Sequence, residues 1–333
     1  MSATASTTEL APVVAPAGRV AVVHGQTVPA LFAPTQAAGQ RFVEFFTANI
    51  RNPNTRKAYA RAATDFSAWC GEHGLADLTM IGPVHVAAYV ETLQARLSAP
   101  SVKQHLAAIR MLFDWLVVGQ VVPANPAASV RGPKHSVKKG ATPVLSAEEA
   151  RALLASMGGD SPIELRDRAL VALMVYTFAR VGAALKMRVA DVYVQGRRTW
   201  VRLHEKGGKR HEMPCHHTLD EALHAYLEGA QLQADPKGWL FRTAAGRSGR
   251  LTERPMSQAD AWRMIRRRAT AAGIKTKIGC HTFRATGITE YLRNGGKLEI
   301  AQQMANHESA RTTGLYDRRN DQVSLDEVER ILI

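Results

Sequence analysis

Cysteine is scarce in this chain of 333 residues: Cys70, Cys215 and Cys280 stand far apart, odd in number and with no C-x-x-C pair. That argues against a disulfide framework or a cysteine-based zinc module, and fits a reducing compartment. Long apolar runs are lacking, so no segment reaches the length that spans a bilayer, and no basic stretch followed by an apolar run marks a secretion signal. Acids are in deficit: 29 Asp and Glu face 43 Lys and Arg, a formal net charge of +14. The excess points to a polyanionic partner. An acidic membrane surface is the alternative, but no basic amphipathic helix supports it. The expectation is a soluble, cytoplasmic protein with no membrane partner.

Other chemistries lack their spacing. In H-E-M-P-C-H-H the second His falls one residue late for a zinc-protease motif, and Pro214 opposes the helix that would align the ligands. N-G-G-K-L is not a Walker loop, and no acidic cluster is spaced for magnesium. No metal or cofactor is expected.

What is present divides the chain. Residues 1–38 are rich in Ala, Pro, Val and Thr with little charge and no sustained period, which predicts a disordered tail. Residues 39–122 repeat amphipathic helical signatures, with core faces at Phe42, Phe45 and Phe46, at Tyr59, Ala62, Ala63, Phe66 and Trp69, and at Leu106, Ile109, Leu112, Phe113 and Leu116. Pro83 suits a first helical turn and Ser101 a cap, so four or five helices are expected. Residues 123–143 carry Arg131, Lys134, Lys138 and Lys139 among prolines and glycines without an acid, the composition of an extended basic linker that crosses a polyanion.

The remainder, 144–333, opens with a capping box at Ser146 and Glu149. R-D-R-A-L-V-A-L-M-V-Y-T-F-A-R follows, apolar all round and hence buried, which makes Arg180 at its end costly unless an anion meets it. Residues 199–214 read as a β-hairpin around Gly207 and Gly208, with Lys206 at the turn. A helix from Ser257 places Trp262, Ile265 and Ala269 inward and Arg263, Arg266 and Arg267 outward as phosphate contacts. Leu325, Val328 and Leu332 form a stripe on a short terminal helix.

His281 and Arg284 stand three apart in a helical pattern, so both leave one face and can meet one ligand; His307 and Tyr316 follow beyond a Gly-Gly stop. Singly, each is more often structural. Together with Arg180 and Lys206 they provide charge stabilisers, proton carriers and a nucleophile, the set that in-line displacement at a phosphodiester requires.

These residues resemble the tyrosine recombinase, or phage integrase, family over about residues 39–333. The family's H-x-x-R is similar to His281-Thr282-Phe283-Arg284, its L-G-H to Ala305-Asn306-His307 after Met304, and its nucleophile to Tyr316. Its first arginine corresponds to Arg180. Its G-K-G hairpin corresponds to the stretch from Glu205 to Lys209, which nominates Lys206 over Lys209. Two departures stand out: Ala183 occupies the place of an acid three residues after the first arginine, and Asn306 that of the usual glycine.

The resemblance implies a mainly α fold with a small β-sheet: a helical, SAM-like core-binding domain followed by a mixed α/β catalytic domain, clamped on double-stranded DNA. It implies cleavage and rejoining through a 3′-phosphotyrosyl intermediate and a Holliday junction, without metal or ATP, by a homo-tetramer on paired sites that exchanges its terminal helix between subunits. A monomer is expected off DNA, with an accessory DNA-bending protein as a further partner. A type IB topoisomerase-like activity and a catalytically silent DNA-binding regulator are the competing readings.

Overall fold

The computed structural model describes residues 20–23, 25–136, 140–205, 208–246 and 248–317. They fall into two compact units, residues 1–136 and 137–333, each with its own apolar core. The architecture is mainly helical with small antiparallel sheets. Among the described residues no helix is long and apolar enough to cross a membrane.

The first unit is built on helices α1 (Gln36–Glu44), α2 (Pro53–Glu72), α3 (Pro83–Gln94) and α4 (Ala99–Val118). Asn52 caps α2 by accepting from the N–H groups of Asn54 and Thr55, and Pro53 and Pro83 open their helices where no backbone donor is needed. Ser101 does not cap α4. That helix begins earlier, with Ser98 at the cap position and Pro100 tolerated in the first turn. The aromatic and aliphatic stripes predicted from sequence are buried, apart from Tyr59, which is half-buried.

Residues 20–38 depart from the disordered tail expected of them. Strands β1 (Val20–Val23) and β2 (Gln26–Pro29) pair antiparallel, Val28 and Phe32 are buried, and Phe32 stacks on Phe42 with ring centroids 4.9 Å apart. Two four-residue strands are too short to establish a period in sequence; one buried aromatic anchors them. The basic linker also begins later than expected. Arg110 donates to the carbonyls of Ala127 and Val130, both of which are buried, so this stretch belongs to the first core. Arg131 and Lys134 are exposed beyond it, whereas Lys138 and Lys139 lie outside the described residues.

The second unit starts with α5 (Ala147–Ala155), where Ser146 and Glu149 form the predicted capping box. Helix α6 (Pro162–Tyr176) runs through the core and packs against α8 (His217–Gly229) and α10 (Cys280–Arg293). Between α6 and α8 come the short α7 (Val181–Ala184) and a three-stranded sheet of β3 (Val192–Gln195), β4 (Arg198–His204) and β5 (Arg210–Pro214), in that order. The predicted hairpin is thus β4–β5; β3 was not legible, being half exposed with only four residues. A two-stranded sheet, β6 (Arg242–Ala244) and β7 (Leu251–Pro255), precedes α9 (Gln258–Ala271), and α11 (Leu298–Met304) and α12 (Ala310–Gly314) follow α10. The terminal helix expected over residues 325–333 lies outside the described residues.

Two details of side-chain placement differ from the sequence reading. On α9 the inner face is Ala261, Met264, Ile265 and Ala269, while Trp262 is 51% exposed and packs under Arg266. A large aromatic counts as apolar in any periodicity, but position 262 is one residue off the buried stripe. The buried cation of α6 is Arg166, met by Asp167 at 2.6 Å, with Arg268 completing the cluster. Arg180 is not in this helix at all.

Candidate active site

Arg180 reaches the surface because α6 stops short of it. Phe178 adopts a left-handed conformation, φ +54°, unusual for an aromatic residue, and this bend re-aims the chain so that Arg180 becomes the N-cap of α7. Its side chain is 41% exposed, and its Nη1 donates to Oε2 of Glu205 at 2.9 Å. The anion that offsets this cation is therefore internal to the protein.

Helix α10 carries the next two groups. Gly287 allows it to lie against the end of α6: a Cβ there would fall 2.1 Å from the Val175 carbonyl oxygen. Arg284, 1% exposed, thereby reaches the Phe178 carbonyl through Nη1 and the Ala305 carbonyl through Nη2. Its Nε is buried without a hydrogen-bond partner among the described residues. Burial and the nearby Arg180 push its pKa down to about 10, with Tyr316 and Glu205 acting in the opposite sense. Arg284 still remains a cation at neutral pH. A buried guanidinium whose Nε lacks a partner, beside a second guanidinium, is chemically suited to take up an anion.

His281, one turn before Arg284 and accessible at the surface, faces Tyr316: Nε2 lies 2.8 Å from the phenol oxygen. Crowding of the ring and the two arginine charges hold its pKa below the usual value, so it is neutral at physiological pH and its Nε2 can accept the phenol proton.

His307 follows Asn306, which has φ +46°. That conformation explains the departure noted in sequence: glycine adopts it freely, and Asn is among the few other residues that do so at low cost. The turn swings His307 inward to 8% exposure, where Nδ1 meets the buried Thr313 hydroxyl at 2.8 Å and the ring lies parallel to that of Tyr316, centroids 5.9 Å apart. Burial, then Arg284, Arg180 and His281, press its pKa down to about 3. A neutral His307 whose Nδ1 accepts from Thr313 carries its proton on Nε2. Tyr316 itself is held by its backbone, its carbonyl accepting from the buried Thr289 hydroxyl at 2.9 Å.

The structure thus brings together Arg180, His281, Arg284, His307 and Tyr316. Lys206 lies outside the described residues, but the root of its hairpin is placed: Glu205 N–H donates to the Lys209 carbonyl, and His211 on β5 donates to the Met304 carbonyl, tying the hairpin to the segment before His307. Lys209 is engaged by Glu308 at 3.4 Å. On α9, Arg263 and Arg267 pair with Asp260 and Asp167 yet stay exposed. His211 and His216 have separate partners, and no metal-holding cluster of His, Cys, Asp and Glu occurs among the described residues. Sequence reasoning passed over Glu205, Thr313 and Thr289. For Glu205 a signal existed, a carboxylate where a hairpin glycine is usual.

Comparisons with known proteins identify the family. Residues 143–323 match the phage integrase family, and residues 40–119 match its N-terminal SAM-like domain. The chain is 31% identical to tyrosine recombinase XerD of Mycobacterium leprae over 280 residues, covering 79% of this chain and 86% of that one, and 30% identical over 279 residues to XerD of Mycobacterium tuberculosis, with the same coverage. In fold it is similar to the XerH site-specific recombinase bound to a palindromic difH substrate (TM-score 0.68, 18% identity, 91% and 90% of the two chains) and to a lambda integrase dimer bound to a COC′ core site (0.64, 19%, 86% and 97%). With a family match over most of its second unit and relatives of this closeness over most of its length, the chain belongs to the phage integrase family, as a site-specific tyrosine recombinase with an N-terminal SAM-like domain.

Proposed function

We propose that Tyr316 is the nucleophile with which this recombinase opens a DNA strand, and that the five grouped side chains and Lys206 divide the chemistry between them. The observation that carries the reading is the 2.8 Å contact of the Tyr316 hydroxyl with a neutral His281 Nε2, inside a ring of two arginines and a second neutral histidine. The phenol oxygen attacks the scissile phosphorus as its proton passes to His281. The 5′ oxygen leaves with a proton from Lys206, and a 3′-phosphotyrosyl bond remains. Attack by another 5′ hydroxyl reverses the step, so the bond energy is kept and rejoining needs no external energy source. Arg180 and Arg284, whose Nε is free to donate, meet the non-bridging oxygens as charge builds, and the His307 Nε2–H adds a third donor. Each proton-transfer role is worth about 10²- to 10⁴-fold.

Duplex DNA in the cytoplasm is the substrate in this reading, gripped by both units. Lys57, Arg61 and Arg96 line an open groove among α2, α3 and α4 of the first unit. Arg131, Lys134, Lys138 and Lys139 are further candidates for phosphate contact, as are Arg263, Arg266 and Arg267 on α9. Two duplexes held by four copies pass through a Holliday junction. The test is Tyr316→Phe on a nicked suicide substrate. DNA binding persists and the covalent adduct disappears; an adduct that survives the substitution removes Tyr316 from the mechanism.

A further inference from the structure

Ala183 poses a problem that the site has to solve. It is buried, with 4% exposure, at the place where the family usually carries an acid, and a methyl group accepts no hydrogen bond. Two guanidinium groups near each other, Arg180 and Arg284, still need a carboxylate to balance and aim them when no phosphate is bound.

Strand β4 supplies one from another direction. Its burial alternates: Val201 and Leu203 are fully buried, Arg202 and His204 are half-buried, and Glu205, the next residue, is 7% exposed. A period of two places Val201, Leu203 and Glu205 on one face, so the packing that seats the two aliphatic side chains also delivers the Glu205 carboxylate inward. A lone buried carboxylate would be strongly disfavoured; here Oε2 accepts from Arg180 Nη1 at 2.9 Å, and the ion pairs of the described residues give Arg180 no other acid. The backbone at Glu205 is held as well, by the N–H bond to the Lys209 carbonyl that closes the hairpin root.

We propose that Glu205 is the positioning carboxylate of this site, delivered by the β-hairpin and holding Arg180 by Nη1 so that its remaining N–H groups face the scissile phosphate. The assignment rests on the reading of Arg180 as a phosphate ligand. Because Glu205 directly precedes Lys206 in the chain, the same contact ties the root of the lysine-bearing turn to the arginine.

The experiment is a double-mutant cycle on Glu205→Gln and Arg180→Ala, reading single-turnover adduct formation on a suicide half-site and, separately, affinity for that DNA. Formation of the adduct at Tyr316 by the unsubstituted protein tests the underlying reading first, so failure of that reading is seen apart from failure of this one. Glu205→Gln keeps the size of the side chain and removes its charge. We expect DNA affinity unchanged, cleavage slowed roughly ten- to a hundredfold by loss of aim, and no further slowing when the substitution is added to Arg180→Ala. A general structural defect would slow Arg180→Ala again by the same factor. Defects that multiply, or a Glu205→Gln protein that cleaves at the unsubstituted rate, overturn the assignment. Glu205→Asp, which keeps the charge but shortens the reach to Arg180 by one methylene, keeps the cycle readable should the glutamine variant fold poorly: its slowing should again vanish in the Arg180→Ala background, and slowing that persists there overturns the assignment.

Discussion

Replacing Thr313 with valine removes one hydroxyl and nothing of the side chain's shape. That hydroxyl is fully buried and lies 2.8 Å from His307 Nδ1, which is itself 8% exposed and neutral, its pKa pressed down to about 3. The proposed mechanism requires the Thr313 O–H to donate to Nδ1, which keeps the ring proton on Nε2, the nitrogen assigned to the phosphate. Valine leaves Nδ1 a buried acceptor with no partner, a cost of about 1–3 kcal/mol, which the ring relieves by moving its proton to Nδ1 or by turning. Either response withdraws the donor from the transition state. At about 1.36 kcal/mol per tenfold, the cleavage rate should fall about 5- to 150-fold. Single-turnover cleavage of a nicked suicide substrate reads this, with DNA affinity measured alongside and expected to hold. Thr313→Ser keeps the hydroxyl and should cleave near the native rate. Equal defects in the serine and valine variants would trace the loss to packing, and native-rate cleavage by Thr313→Val would refute the tautomer argument.

Lys206→Ala should slow cleavage of ordinary DNA far more than cleavage of a substrate whose 5′ leaving oxygen is sulfur, since a thiolate departs without a proton; Lys209, engaged by Glu308, should show no such rescue. Equal defects of Lys206→Ala on both substrates would deny it the proton-donor role. Neutralising Arg266 on α9 should weaken cognate and non-cognate binding alike and reduce the magnitude of the salt slope by about one, whereas a loss confined to the cognate sequence would show base reading instead. Cleavage should also tolerate mild acid. His281 acts as a base in its neutral form, and burial with the two arginines lowers its pKa, so the acid limb of the rate should have its midpoint below the ordinary histidine value. A rate–pH profile that bends at the ordinary histidine value would contradict that environment.

Much of the helical framework was legible because its signals are local. The stripes of α2 and α4, the Ser146–Glu149 capping box and the Ser257 cap of α9 each depend on residues within one or two turns. The errors have local causes of the opposite kind. Trp262 satisfies an apolar count from the wrong face, and the hairpin of β1 and β2 is stabilised by Phe32 meeting Phe42, a contact that no window across 20–29 contains.

At the site the division is sharper. The sequence by itself determined which residue types were available for phosphodiester chemistry and the spacing that sets His281 and Arg284 on one helix, because a helix converts separation in sequence directly into direction. Only the tertiary structure decided how the far-separated groups meet. Phe178 bends the chain so that Arg180 leaves the core, Gly287 lets α10 approach α6, and Asn306 turns His307 onto Tyr316. It also bears on the protonation states: Arg284 shares a helix with His281, but the Arg180 charge that lowers both histidines, and the burial of His307, come from segments distant in the chain. Glu205 shows the same limit most plainly. Its carboxylate is visible in sequence, but that it serves Arg180, 25 residues earlier, follows only from the pleat of β4 and the close approach of that strand to α7.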